Sequence, residues 1–197
     1  RYRTAEQIDE ATGGQFWLGW MGATSHRTGD WEAAGPHIAA WMGRHDDVRL
    51  LHVGSSRDAP QIPELCPVRP DRMLCAPPVP AEDVARVLWP MTVGVVPLSA
   101  SPFNDAKSCL KGMEFAAAGV PFVASRSAEY DWWAAGQVVS NRAGQWADAL
   151  ERLRDPAERD RQVADQDAAL RPLAIQSRWT DWSDALDDIV AARKVSA

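Results

Sequence analysis

The sequence lacks any apolar run near the roughly 18 residues that a membrane-spanning helix needs. Its first residues, RYRTAEQIDE, hold no apolar core of a secretion signal. It also lacks basic excess: 21 Lys and Arg stand against 27 Asp and Glu, for a net charge of -6. A general nucleic-acid binder presents a basic face, so no nucleic-acid partner is expected. Cysteine is scarce, and Cys66, Cys75 and Cys109 form an odd set without close pairing. A reducing, cytoplasmic setting is therefore expected rather than a disulfide framework. Internal repeats and low-complexity stretches are absent.

Several catalytic signatures are missing too. A dinucleotide fingerprint needs G-x-G-x-x-G after the first strand, but Gly19-Trp20-Met21-Gly22 has another spacing. Lys107-Ser108 lacks the glycines of a phosphate-binding P-loop. No G-x-S-x-G elbow occurs, and no acids close the first strand as in a phospho-receiver. Cys66 and Cys75 lack C-x-x-C spacing, and no second cluster accompanies His26 and Asp30, so no metal site is expected.

What is present is an alternation of buried strands and helices in 197 residues, 46% of them hydrophobic. Gln15 to Met21, Val48 to Val53, Arg72 to Ala76, Met91 to Leu98, Pro121 to Ser125 and Gln137 to Ser140 read as strands. Trp31 to Arg44 carries Trp31, Ala34, Ile38, Trp41 and Met42 at helical spacing, with Asp30 as N-cap. Lys107 to Ala118 reads as a helix capped by Asn104 or Asp105, closed by Gly119 with Pro121 beyond. Leu110, Met113 and Ala117 are assigned to its core face. Three further helices fill the C-terminal quarter. The implied fold is α/β, a doubly wound, mostly parallel Rossmann-like sheet flanked by helices, with a helical C-terminal tail. Residues 1–14 read as a linker or the tail of a preceding domain, 15–175 as the Rossmann-like domain and 176–197 as a C-terminal helix. The chain opens on Arg1 rather than Met, so a fragment or a processed product is expected. Most of the ten tryptophans are expected to be buried, given the apolar area each carries.

In an open parallel sheet, ligands bind outside the carboxyl ends of the strands. The stretch FNDAKSCLKGMEFAAAGVPFVAS, Phe103 to Ser125, follows such an end. Lys107, Lys111 and Glu114 fall on one face of the expected helix. A lysine in a first turn opposes the helix dipole, which favours anions there. Two readings are open at this point: a solvated face with i,i+3 and i,i+4 pairing, or a phosphate site made of N–H groups and an ammonium.

The chain resembles the C-terminal, donor-binding domain of GT-B glycosyltransferases, the group 1 or family 4-like kind. The resemblance rests on LGWMGATSH with Asp30, LLHVG, VGVVPL, the Phe103–Ser125 stretch, and the tail QWADALERLRDPAERDR with WTDWSDAL. It implies one half of a GT-B fold. It also implies a nucleotide-diphosphate sugar as donor substrate, no cofactor, and transfer to an acceptor with retention and without metal. Donor-binding residues would be Gly22, Gly54, Ser55, Val79, Phe103, Asn104, Lys107, Ser108, Lys111 and Glu114. Lys107, His26 and Arg27 would be catalytic. Glu114 matches the second acid of the family's E-x7-E motif, and the first falls on Ala106. A missing N-terminal acceptor domain, or a partner chain supplying it, is implied, with Trp179 and Trp182 exposed or used in self-association through the C-terminal helix. The alternative is a non-catalytic, glycosyltransferase-like interaction module.

Overall fold

A computed structural model describes residues 4–25 and 27–195. Helix α1, Ala5–Ala11, leads into strand β1, Phe16–Met21, and helix α2, Thr28–Met42. Strand β2, Val48–Val53, the short helix α3, Ile62–Leu65, and strand β3, Met73–Ala76, follow. Helix α4, Val84–Leu88, precedes strand β4, Val93–Val96. Two helices follow in succession, α5, Pro102–Asp105, and α6, Leu110–Ala117, before strand β5, Phe122–Ser125. Helix α7, Ala128–Trp133, strand β6, Gln137–Val139, and helices α8, Gln145–Arg152, α9, Pro156–Leu170, and α10, Ile175–Val195, complete the chain.

The six strands form one sheet in the order β3-β2-β1-β4-β5-β6, and every pairing is parallel. The four central strands, β2, β1, β4 and β5, are buried on both faces and are accordingly near-continuous apolar runs, while the edge strand β3 is partly exposed. Successive residues serve opposite layers: Leu50, Val95 and Val123 pack with Trp31, Ile38, Trp41 and Trp146, while Leu51, Val96 and Phe122 pack with Phe115, Tyr130 and Trp133. Strand order reverses between β1 and β4, so their exit loops diverge and leave a crevice at that point.

Three local expectations are corrected. The helix expected at Lys107 begins only at Leu110, with Cys109 at its N-cap rather than Asn104 or Asp105. Pro102 instead opens the separate turn α5, whose cap is Ser101, its Oγ accepting from the Asn104 N–H at 3.2 Å. Lys107 therefore sits in a loop and not in a first helical turn. The core face of α6 is Gly112, Phe115 and Ala116, while Leu110 is 56% exposed. The close fit of Gly112 under Phe122 and Tyr130 sets that rotation, since a Cβ there would stand 2.8 Å from both rings. Asp30 is no cap either: Arg27 holds that position of α2, and Asp30 lies buried inside the first turn.

The first residues, expected as linker or tail, contain α1. It docks on α9 through Ile8, through the Ala5 N–H donating to Asp160 at 2.7 Å, and through an ion pair of Asp9 with buried Arg159 at 2.7 Å. Helix α10 packs on the turn at Arg171–Leu173 and leaves Trp179 and Trp182 exposed, at 61% and 69%. Among the described residues, no helix is long and apolar enough to cross a membrane.

Candidate functional site

Three cavities line the carboxyl edge of the sheet. The first, about 270 Å³, is walled by Met21, Gly22, Val53, Gly54, Val79 and Glu114, with Lys111 at its end. The second, about 220 Å³, lies under Trp20, Arg27, Lys107, Ser108, Lys111 and Tyr130. The third, about 210 Å³, is enclosed by Arg27, Asp30, Ser101, Phe103, Asn104 and Lys107. Lys111 borders the first two, and Arg27 and Lys107 border the last two, so the cavities form a continuous row over the β1/β4 crevice.

The floor of the first cavity is backbone held close. Gly54 has φ +103°, and a Cβ on it would stand 2.8 Å from the Gly22 carbonyl oxygen. His52, fully buried against Trp20, bonds that same Gly22 oxygen through Nε2 at 2.9 Å. Burial holds its imidazole below the ordinary 6.5, the bond to Gly22 acting in the other sense. On the opposite wall, Lys111 Nζ donates to Glu114 at 3.0 Å. The i,i+3 pairing expected of a solvated face is thus present, yet both side chains face the cavity.

Asp30 organises the other end. It is 4% exposed, and its Oδ1 accepts from the Ser99 N–H at 2.8 Å, the Ser99 hydroxyl at 3.1 Å and Asn104 Nδ2 at 2.7 Å. Asn104 Nδ2 also donates to the Ser99 carbonyl at 2.8 Å, which turns Asn104 Oδ1 toward Lys107, whose Nζ donates to it at 2.9 Å. Lys107 Nζ lies 3.9 Å from the second oxygen of Asp30 and 5.0 Å from the centre of the Phe103 ring. Burial and the neighbouring Arg27 guanidinium pull the Lys107 ammonium below its ordinary range, and Asp30 opposes them. At the root of β4's exit, Ser125 Oγ accepts from the Leu98 N–H at 2.8 Å, and Asn141 Nδ2 donates to the Leu98 carbonyl at 2.6 Å.

The structure brings together Gly22, Arg27, Gly54, Val79, Phe103, Asn104, Lys107, Ser108, Lys111 and Glu114 along the row. Ser55 stands apart, in a neighbouring hollow with Arg57 and Cys75, its hydroxyl donating to Gln61 at 2.9 Å. His26 lies outside the described residues. Sequence reasoning missed Asp30 as a site residue, along with Ser99 and Tyr130. Asp30 had the signal of a helix-start acid, which masked its second use. Tyr130 is buried in the short helix α7, which carries no sequence motif, and its hydroxyl accepts from the Gly112 N–H at 3.1 Å.

No protein-family model and no curated protein matches the sequence. Solved structures do match in fold. Sucrose-phosphate synthase from Thermosynechococcus elongatus aligns over 97% of this chain and 50% of its own, with TM-score 0.74 and 20% identity. The α,α-trehalose 6-phosphate synthase of Burkholderia multivorans aligns over 97% and 46%, with TM-score 0.67 and 16% identity. Trehalose-6-phosphate synthase from E. coli, bound with UDP-2-fluoro glucose, aligns over 91% and 45%, with TM-score 0.65 and 15% identity. The chain spans about half the length of the structures it matches. What they share with it is the fold: an all-parallel six-stranded sheet flanked by helices and followed by a long C-terminal helix, the architecture of one half of a GT-B glycosyltransferase.

Proposed function

We propose that this chain is the donor-binding half of a glycosyltransferase and that the row of cavities holds a nucleotide-diphosphate sugar. The observation that carries the reading is the pair Arg27 and Lys107 converging beside the start of α6 at the β1/β4 crevice. Two cations and first-turn N–H groups suit a diphosphate. The first cavity, with close backbone at Gly22 and Gly54 and the apolar wall of Val79, takes the nucleoside, and Glu114 accepts from ribose hydroxyls.

In glycosyl transfer the bond from the anomeric carbon to the diphosphate breaks, the acceptor oxygen bonds to that carbon, and the acceptor loses a proton. Charge grows on the departing phosphate oxygens, where fixed cations and N–H groups lower the barrier. Arg27 and Lys107 supply that charge, and the reaction is proposed to need no metal. Retention of configuration and a role in carbohydrate biosynthesis are part of the same reading and rest on the sequence resemblance, and a cytoplasmic setting rests on the three scattered cysteines. An acceptor-binding domain, on the same polypeptide or a partner chain, is proposed to complete the enzyme and to cover the exposed face of α10. A non-catalytic module is the second reading, favoured by Ala106, which puts no carboxylate at the motif's first position.

Calorimetry with UDP, GDP and ADP and their glucose conjugates tests the proposal. Saturable binding of one nucleotide is the expected result, and Lys107→Ala weakens it. No binding of any at millimolar concentration ends the proposal. Binding that survives without transfer, once an acceptor domain is supplied, selects the non-catalytic reading.

A further inference from the structure

The third cavity contains groups that a diphosphate does not need. Asp30 spends one carboxylate oxygen on three donors from Ser99 and Asn104. Among the described residues, its other oxygen meets only Lys107 Nζ, at 3.9 Å, longer than a hydrogen bond. A carboxylate this buried, with lone pairs open on a cavity, calls for hydrogen-bond donors. Phosphate oxygens offer none, whereas sugar hydroxyls do. The neighbouring Phe103 ring is 70% exposed on the same rim, an unusual cost for an aromatic and a flat apolar face for a pyranose. The volume, about 210 Å³, lies below the roughly 300 Å³ at which drug-sized pockets begin, so it suits a single ring. The cavity also shares Arg27 and Lys107 with the one assigned to the diphosphate, which places the ring at the diphosphate's far end.

We propose that the cavity between α2 and α5 is the glycosyl subsite, with the open oxygen of Asp30 accepting a sugar hydroxyl, Lys107 donating to another, and Phe103 walling the ring. It rests on the reading of a nucleotide-sugar site. What it adds is the source of the acid. The carboxylate for the sugar comes from the first turn of α2, across the crevice from the loop where Ala106 leaves the expected motif empty.

The test compares a nucleoside diphosphate with its glucose and galactose conjugates by calorimetry, in the wild-type chain and two variants. Asp30→Asn keeps the shape and one acceptor but removes a negative charge 3.9 Å from Lys107. The bare nucleoside diphosphate should therefore bind equally or more tightly, while the sugar conjugate weakens about tenfold, the size of a lost hydrogen bond to a charged group. Phe103→Ala, at an exposed position, should weaken the conjugate by a few fold more than the bare nucleoside diphosphate. Equal weakening of both ligands in Asp30→Asn would make Asp30 a strut for the loops and overturn the subsite. So would conjugate affinities unchanged in both variants. If the wild-type chain binds no nucleoside diphosphate, the nucleotide-sugar reading fails with it. If it does, the subsite stands or falls alone.

Discussion

Helices α2 and α10 each carry two tryptophans near one turn apart or more, and the chain treats them oppositely. Trp31 and Trp41 of α2 are fully buried beneath the sheet, and Trp41 Nε1 donates to Glu151 at 2.9 Å. Trp179 and Trp182 of α10 lie on an exposed stripe with Ile175, Leu186 and Ile189, recurring at steps of four and three residues. The same residue type fills a finished interface in one place and an open one in the other. Spacing alone marks a helix as amphipathic; only the neighbouring layer decides whether its apolar side is covered. Exposed apolar stripes of this kind mark contact surfaces. Helix α2 also carries Arg27 and Asp30 at its start, so its buried tryptophans anchor the end that lines the crevice.

The largest expected effect falls on the finished side. Trp31→Ala should cost about 3–5 kcal/mol of stability, because a large cavity opens under β1. A urea denaturation midpoint close to wild type would break the contrast. Lys107→Ala should cost less, about 1–2 kcal/mol of stability, because it removes the ammonium facing Asn104 and buried Asp30 without opening the core. Nucleoside diphosphate affinity should nonetheless fall about tenfold to a hundredfold, as expected for a lost contact between charged groups. An unchanged calorimetric Kd would remove Lys107 from the diphosphate.

A smaller effect concerns His52, which joins the core to the site by bonding the Gly22 carbonyl. Its imidazole is held below 6.5 by burial, so its contribution to stability is complete above pH 6.5 and is lost as the pH falls through the lowered folded value. Each unit of depression corresponds to about 1.4 kcal/mol. The wild-type chain should thus lose more stability between pH 7.5 and 5 than His52→Gln does, read from denaturant midpoints at each pH. Parallel curves would mean the ring's charge plays no part. The smallest effect belongs to the open side. Trp179→Ser with Trp182→Ser should change stability by no more than about 0.5 kcal/mol, while any concentration-dependent association seen by analytical ultracentrifugation should diminish. A large loss of stability would show that α10 is held by the domain after all.

The strands and most helices were legible because their apolar residues recur at two clear periods and stop at Gly or Pro. Trp31, Ala34, Ile38, Trp41 and Met42 are all buried as their spacing requires. The site was legible as a set of loops but not as an arrangement. Lys107 was expected in a helix because the residues from 107 to 118 favour one. The chain delays that helix to Leu110 because Asn104 is bound to Asp30 and Ser99 rather than left to cap it. Asp30 is 74 residues from Asn104, and no local rule links them.

The sequence by itself determined the alternation of strands and helices, the buried faces and the carboxyl-edge loops, because these depend on local periodicity and turn chemistry. Only the tertiary structure decided that Arg27, Asp30 and Lys107 meet over one crevice and that the tryptophans of α10 stay mostly exposed. The first depends on which loops the reversal of strand order sets side by side, and the second on which layers pack against α10; neither is a property of a local stretch of chain.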